Sequence, residues 1–486
     1  MADSIRKQTL KGVAWSGLEK AVTLTITFVV NIIMARLLTP ADYGVVGIIA
    51  VFLSFSQLFI DGGFTTALIS KADRNEDDYR TVFVFNFAMS VFIYLGLFLS
   101  APLIERFYDI ANLGSVIRVY CLMLVISSFS AIQITKFTIA VDFKTISKIS
   151  VPTGLISGIV GISMAYMGYG VWSIVGQHLT MATLRVLLSI YYSRWFPKPG
   201  FSKTSFKQLF GFSSNLIISS LIDKIYTNAY PLFIGKFFPP ATLGYYTRGD
   251  QFGRLPAGIF DEMFNRVTFP MMSKIQNDED QLRSLYRKYI KLSSFLIFPI
   301  MMLVVVLAEP IVKILLTDKW LDCVIFMQII SMALMMNHIG TINRNLLYVK
   351  HHSDYALRLE IIKKLIAITI FLISTKFGIL GVCLGQLVYG MMAPSLNSIY
   401  TDRLINLSYW KQLGDYIGIW AIAVVSAGLP LWVVSKMEST WLSLFVGFAV
   451  YIAVYVALNA VFKSEALSWV WDEGRSLLKK RINKNE

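Results

Sequence analysis

Among the ionisable side chains within stretches that hydropathy or an internal repeat assigns to membrane crossings are Lys20, Asp61, Arg185, Asp223, Lys224, Asp250, Arg254, Asp261 and Arg344. An arginine in hydrocarbon costs roughly 2.5–3.5 kcal/mol even on the lenient insertion scale, so such groups must face water, protein or an opposite charge. Two chemistries suit them. Cations along a membrane route can hold an anion, and the planar guanidinium fork matches phosphate oxygens. A membrane-embedded carboxylate is a natural station for a proton or a sodium ion, as coupling to a gradient requires.

Arg185 and Arg344 each sit about one or two turns from the cytoplasmic end of an apolar helix. They either snorkel to the inner headgroups or wall a cationic cavity. Lys20 and Lys224 each follow a carboxylate, Glu19 or Asp223. Neighbours at i and i+1 do not face one another on a helix, so these lysines read as interhelical ion pairs or as cavity lining. Asp250, Arg254 and Asp261 lie within about 40° on a helical wheel and make one polar stripe, with Arg248 and Arg266 pointing away near the two interfaces. Gly253, Pro256 and Gly258 interrupt that helix and permit a kink. A charged, broken helix marks a transport site or a buried structural ion network. Asp61, just before Gly62-Gly63, either holds the coupling ion or bridges a kink. His178 lies seven residues before Arg185, and Asn337 seven before Arg344, which places each pair near one face. His178 reads as a hydrogen-bonded structural residue ahead of a proton relay, and His351 and His352 as solvated.

The elements that must position these groups are membrane helices. The chain has 486 residues, is 55% hydrophobic with mean hydropathy +0.60, and is 15% charged. Soluble domains carry roughly 25% charged residues, and a span needs roughly 20 apolar residues. The apolar runs predict an all-α integral membrane protein with about fourteen spans: 13–37, 44–68, 81–103, 114–135, 149–168, 171–192, 209–234, 244–270, 292–310, 322–348, 359–375, 379–400, 415–435 and 441–462. With the N-terminus inside, Lys and Arg of the inside loops outnumber those outside more than fourfold, which places both termini in the cytoplasm. Span 244–270 is too polar for a hydropathy window; without it every later loop would invert. The first apolar stretch is too long for a signal-peptide core and is expected to be retained.

A net charge of +15 raises the question of nucleic acid, but the bases are dispersed between apolar runs instead of gathered on one solvated face, so no nucleic-acid partner is expected. Cys121, Cys323 and Cys383 offer no disulfide or metal spacing. No Walker loop, zinc-type His-Glu-x-x-His or Gly-x-Ser-x-Gly elbow occurs, so neither a cofactor nor an enzyme is expected.

The chain repeats itself at an offset of 200. Ala35-Arg36-Leu37-Leu38-Thr39-Pro40-Ala41-Asp42-Tyr43-Gly44 aligns with Gly235-Lys236-Phe237-Phe238-Pro239-Pro240-Ala241-Thr242-Leu243-Gly244, and Asp61 meets Asp261. Glu19-Lys20 has its counterpart in Asp223-Lys224 with a four-residue slip. Six spans per repeat give two like-oriented lobes, 1–200 and 201–402, with a substrate site expected between them. Residues 403–486 add two helices and a tail. Met1–Lys11 and Lys463–Lys480, the latter with Leu467, Trp469 and Trp471, read as interfacial anchors on an anionic leaflet.

The opening Leu10-Lys11-Gly12-Val13-Ala14-Trp15, the turn Ala35 to Gly44 and Asp61-Gly62-Gly63 resemble the polysaccharide transporters of the multidrug/oligosaccharidyl-lipid/polysaccharide exporter superfamily, in particular the bacterial Wzx-type flippases. The resemblance covers essentially the whole chain. It implies a flippase for undecaprenyl-pyrophosphate-linked oligosaccharide units of O-antigen, capsule or exopolysaccharide, moved from the cytoplasmic to the periplasmic leaflet of the bacterial inner membrane by ion-coupled alternating access. Glycan polymerase and assembly proteins would be its neighbours in the membrane. Arg185, Arg344, Lys20, Lys224 and Arg254 would then hold the pyrophosphate, and Asp61, Asp223, Asp250 and Asp261 the coupling H+ or Na+. A multidrug exporter would need an acidic, aromatic cavity, and a lipid II exporter stays open. A membrane-embedded glycan polymerase or ligase would be expected to show a long external loop, which is absent here.

Overall fold

A computed structural model describes residues 2–196 and 200–469, with the side chains of 2–14 and of 212, 215, 216, 218 and 219 outside that description. The anchors expected at Met1–Lys11 and beyond residue 469, Trp471 included, therefore fall wholly or in their side chains outside the described residues. The described chain is nearly all helix, without a strand. It forms two compact units, Met1–Gly244 and Tyr245–Glu486.

The first unit holds α1 (Ala2–Leu37), α2 (Pro40–Asp61), α3 (Phe64–Ser70), α4 (Glu76–Tyr108), α5 (Leu113–Tyr120), α6 (Leu122–Ile139), α7 (Phe143–Tyr166), α8 (Val171–Ser193), α9 (Lys203–Phe237) and the start of α10 (Pro240–Lys274). Local chemistry sets the starts. Thr39 and Asp42 form a reciprocal capping box ahead of Pro40, which has no amide hydrogen to leave unbonded. Asn75 and Asp78 do the same for α4. The span expected at 44–68 is broken: Gly62 and Gly63 take φ of 50° and 74°, a left-handed pair that ends α2 and starts α3. α7 lies between α1 and α8, and α9 packs on α2, α3 and α4. Phe64 anchors the last contact, stacked on Phe206 and tilted against Phe85.

The second unit takes the rest of α10, then α11 (Glu279–Val306), α12 (Ala308–Leu316), α13 (Cys323–Leu334), α14 (Asn337–Val349), α15 (Ser353–Ser374), α16 (Gly378–Asn397), α17 (Thr401–Ile405), α18 (Tyr409–Ser426), α19 (Gly428–Ser435) and α20 (Thr440–Val461). Its core is built on α11, whose Tyr286, Ile290, Phe298 and Met301 are fully buried among residues of α13, α14, α18 and α20. α10 runs as one helix through Gly253, Pro256 and Gly258, so the break expected there does not occur. The interruptions lie elsewhere, at Cys121, Met335–Met336 and Ala427.

Eleven segments among the described residues are long and apolar enough to cross a membrane. One, Ser353–Ile405, has 53 residues and contains both α15 and α16. α9 and α10 have 35 residues each but lie outside the eleven. Length is therefore sufficient in both, and polarity is what sets them apart.

Candidate functional site

One group of charges in the second unit links α10, α14 and α15. α14 starts directly after the interruption at Met335–Met336, so Asn337, Thr341 and Arg344 at i, i+4 and i+7 share one face. Asp261 of α10 lies against that face. Asn337 Nδ2 donates to its Oδ2, and Thr341 Oγ1 donates to its Oδ1 at 3.3 Å. Arg344 in turn donates to Thr341 Oγ1 at 3.2 Å, and its guanidinium stands 3.7 Å from Glu360 Oε1 on α15. That same oxygen accepts from Lys363 Nζ at 2.6 Å. The side chain of Lys363 is 5% exposed, whereas those of Arg344 and Glu360 are 35% and 37% exposed. Two carboxylates and two cations thus form one neutral chain of contacts, with its more exposed members, Arg344 and Glu360, in the middle. Charged groups so placed are tolerated in a span because each has a partner.

Four further charges of α10 pair along the helix. Arg254 binds Asp250 through two nitrogens, at 2.7 and 3.2 Å, and Arg266 reaches Glu262 at 2.5 Å. Asp250, Arg254 and Asp261 lie on one uninterrupted helix with different partners: Asp250 and Arg254 bind each other, and Asp261 is bonded to α14. Arg248, expected near an interface, is buried, donating to Gln251 at 2.5 Å and lying 5.9 Å from the Trp320 ring.

In the first unit, Arg185 on α8 is exposed. Lys20 on α1 is exposed as well. Asp223 is exposed and Lys224 half-buried, and their carbonyl oxygens accept from Thr227 at 2.8 Å and Asn228 at 2.8 Å. Asp61 is exposed at the end of α2 and accepts from Thr65 Oγ1 at 2.5 Å across the Gly62-Gly63 break. Among the described residues it has no cross-helix bond like those of Asp261, its counterpart in the repeat. His178 rests against the Tyr120 ring at 5.4 Å.

Sequence reasoning passed over Glu360, Lys363 and Thr341. A signal was available: Glu360-x-x-Lys363 opens the apolar run of α15 with an i, i+3 pair of opposite charge. His338 was also passed over; it is buried between Ser294 Oγ, 3.1 Å away, and the Met335 carbonyl oxygen, 3.0 Å away. Among the described residues no cluster of histidine, cysteine or carboxylate has the arrangement of a metal site.

Helices of span length that carry charges neutralised inside the protein define a multi-pass helical membrane protein. Residues 33–325 match the family described as Polysaccharide biosynthesis protein, and the chain belongs to that family. It is 24% identical to the teichuronic acid biosynthesis protein TuaB of Bacillus subtilis (strain 168), over 73% of this chain and 74% of that one. It is 21% identical to the lipopolysaccharide biosynthesis protein WzxC of Escherichia coli (strain K12), over 87% and 89%. Its fold is similar to that of the lipid II flippase MurJ in an inward closed conformation, with a TM-score of 0.72 at 15% identity, covering 93% of this chain and 98% of MurJ. A multidrug resistance MATE family transporter of the MOP superfamily, inward-facing, follows with a TM-score of 0.54 at 16% identity, over 80% and 99%.

Proposed function

We propose that this protein is a flippase that carries a pyrophosphate-linked oligosaccharide from the cytoplasmic to the periplasmic leaflet of a bacterial inner membrane, with both termini in the cytoplasm. The observation that carries the reading is the pair of cations that α14 and α15 bring to one Glu360 oxygen: Arg344, partly exposed, and Lys363, buried, both within spans. A pyrophosphate has to be held while its sugars leave water, and an arginine beside a second cation supplies bidentate, charge-assisted bonds. Arg185, Lys20, Lys224 and Arg254 extend the cationic route, and the lipid tail stays in the bilayer. Family membership and the names borne by TuaB and WzxC favour a glycan-bearing substrate.

The lobes 1–200 and 201–402, with 403–486 as an appendix, belong to this reading, and so do crossings by α9 and α10. Coupling to H+ or Na+ is assigned to Asp261 first, with Asp61, Asp223 and Asp250 as further stations. A charge crossing 100 mV gains about 2.3 kcal/mol, a useful driving force for one turnover. The protein acts as a transporter and not as an enzyme, working alongside a glycan polymerase and assembly proteins.

The test is export. Arg185→Ala and Arg344→Ala should each abolish surface glycan in a strain with no other exporter of that class, while membrane insertion and protein level stay normal. Survival of export in both variants removes the cationic route. The likeness of fold to MurJ favours one second reading, export of a peptidoglycan precursor; rescue of a strain depleted of its lipid II flippase would establish that alternative.

A further inference from the structure

One oxygen of Glu360 stands between two cations. Its Oε1 accepts from Lys363 Nζ at 2.6 Å and lies 3.7 Å from Arg344 Nη1. The two cations come from different helices, α15 and α14, so the oxygen occupies a position that α14 and α15 together build for an anion. Lys363 is almost fully covered there and Arg344 is not. An anion arriving from outside would therefore meet Arg344 first and find Glu360 already seated.

Depth suits the role. Arg344 precedes the end of α14 at Val349 by five residues, and Glu360 follows the start of α15 at Ser353 by seven. At 1.5 Å per residue both lie roughly 8–10 Å inside the helix ends. The positive-inside assignment puts the 350–352 turn at the cytoplasmic face, so the pair sits near the boundary between headgroups and hydrocarbon of the inner leaflet. A lipid-borne pyrophosphate presents its charge at that level.

We propose that Glu360 is an internal stand-in for the substrate's pyrophosphate: it occupies the Arg344–Lys363 anion position in the empty protein, and an incoming phosphate oxygen displaces it. The inference rests on the flippase reading and names the subsite where the diphosphate is first held. Physical chemistry makes the exchange ordered. Glu360 cannot swing away alone, because that would leave the Lys363 ammonium buried without a counter-charge. It can leave once a phosphate oxygen takes its place, so loading the site and releasing the Glu360 carboxylate become one event. Asp261 and Thr341, at the far end of the Arg344 contacts, hold the guanidinium in place during the exchange.

The experiment measures binding of undecaprenyl pyrophosphate, and separately of inorganic pyrophosphate, to the full chain in nanodiscs. Wild type should bind the lipid. Glu360→Gln, which removes the competitor and keeps the shape, should bind it at least fivefold more tightly, and Arg344→Ala should lose most of the binding. Lys363 stripped of its partner could unfold the helix pair, so the double variant Glu360→Gln/Lys363→Gln serves as the neutral control. It should fold like wild type and show no gain. Unchanged or weaker lipid binding by a folded Glu360→Gln protein overturns the inference, as does a gain confined to inorganic pyrophosphate, or a gain that persists in the double variant. Wild type that binds neither probe defeats the flippase reading itself, which keeps the two failures apart.

Discussion

Gly44 lies against the main-chain carbonyl oxygen of Pro240, and the contact is returned 200 residues on, where Gly244 lies against the carbonyl oxygen of Pro40. Equivalent positions of the internal repeat thus touch one another reciprocally. A β-carbon at either glycine would overlap backbone, which cannot turn aside as a side chain would. The requirement is for close approach and not for unusual dihedrals, since both glycines are helical. Gly44→Ala or Gly244→Ala should therefore destabilise the protein by about 1–3 kcal/mol, the usual cost of overpacking. Thermal unfolding in detergent reads this out; two variants as stable as wild type would mean that the helix starts do not cross so closely.

Much of this was legible in the sequence, and the reason is periodicity at two scales. Runs of apolar residues announced α4 and α8, which contain the spans expected at 81–103 and 171–192. The 200-residue offset announced the matching Pro40 and Pro240 helix starts. The contact between the two copies was not legible, because sequence similarity carries no distance. The site was half legible. Arg344 and Asn337 stood out as polar positions on one face, and Asp261 as a charge in a long helix. That Asp261 meets α14 while Asp61 bonds to Thr65 of the next turn depends on cross-helix packing, which no single segment encodes. Lys363 and Glu360 escaped notice because hydropathy averages two charges at a span's edge into its apolar remainder. The break expected in α10 failed because a helix can absorb proline and glycine without losing its course.

Asp415 on α18 joins two positive residues of α11. Arg287 binds it through Nε and Nη2, both at 2.7 Å, and Lys291 stands 3.6 Å away. The carboxylate is 2% exposed. Removing one partner of a fully buried pair costs roughly 3–5 kcal/mol. Arg287 is 41% exposed, so water recovers part of that charge. Asp415→Ala should cost about 1–3 kcal/mol, and Asp415→Asn nearly as much, because the amide keeps the shape but not the charge. Equal stability of wild type and Asp415→Asn would show that the hydrogen bonds matter and the charge does not.

Glu465, just past α20 and outside the candidate spans, accepts from Lys291 Nζ at 2.5 Å. That bond holds its carboxyl below its ordinary value near 4.5. A depressed value means the folded state favours the carboxylate. The tie is therefore fully present above pH 4.5 and is lost as the pH falls through the lower value the carboxyl has in the folded protein. A spin label at Ser468 should become more mobile on acidification through that window, and Lys291→Met should give the same mobility already at neutral pH. A label that stays equally immobile from pH 7 down to a pH at which Glu465 is protonated would remove the tie as what holds this segment.

Asn343 precedes Arg344 in α14 and points the other way, into a buried junction. Its Oδ1 accepts from Tyr286 Oη at 2.5 Å, from Thr401 Oγ1 at 3.0 Å and from Gln412 Nε2 at 3.2 Å. Gln412 Nε2 also donates to Tyr286 Oη. One amide oxygen thereby ties α14 to α11, α17 and α18, and fixes the rotation at which α14 presents its opposite face. Asn343→Ala orphans several buried donors at about 1–3 kcal/mol each, partly recovered by rearrangement. The expected loss is about 2–4 kcal/mol, against about 1 kcal/mol for Tyr286→Phe, which removes one donor and leaves the rest bonded. The double variant should lose less than the sum, since members of one network are not independent. Because Asn343 sets the rotation of α14, its replacement should also weaken pyrophosphate-lipid binding at Arg344, although the residue touches no substrate. Binding unchanged in a destabilised but folded Asn343→Ala protein would separate this junction from the face that carries Arg344.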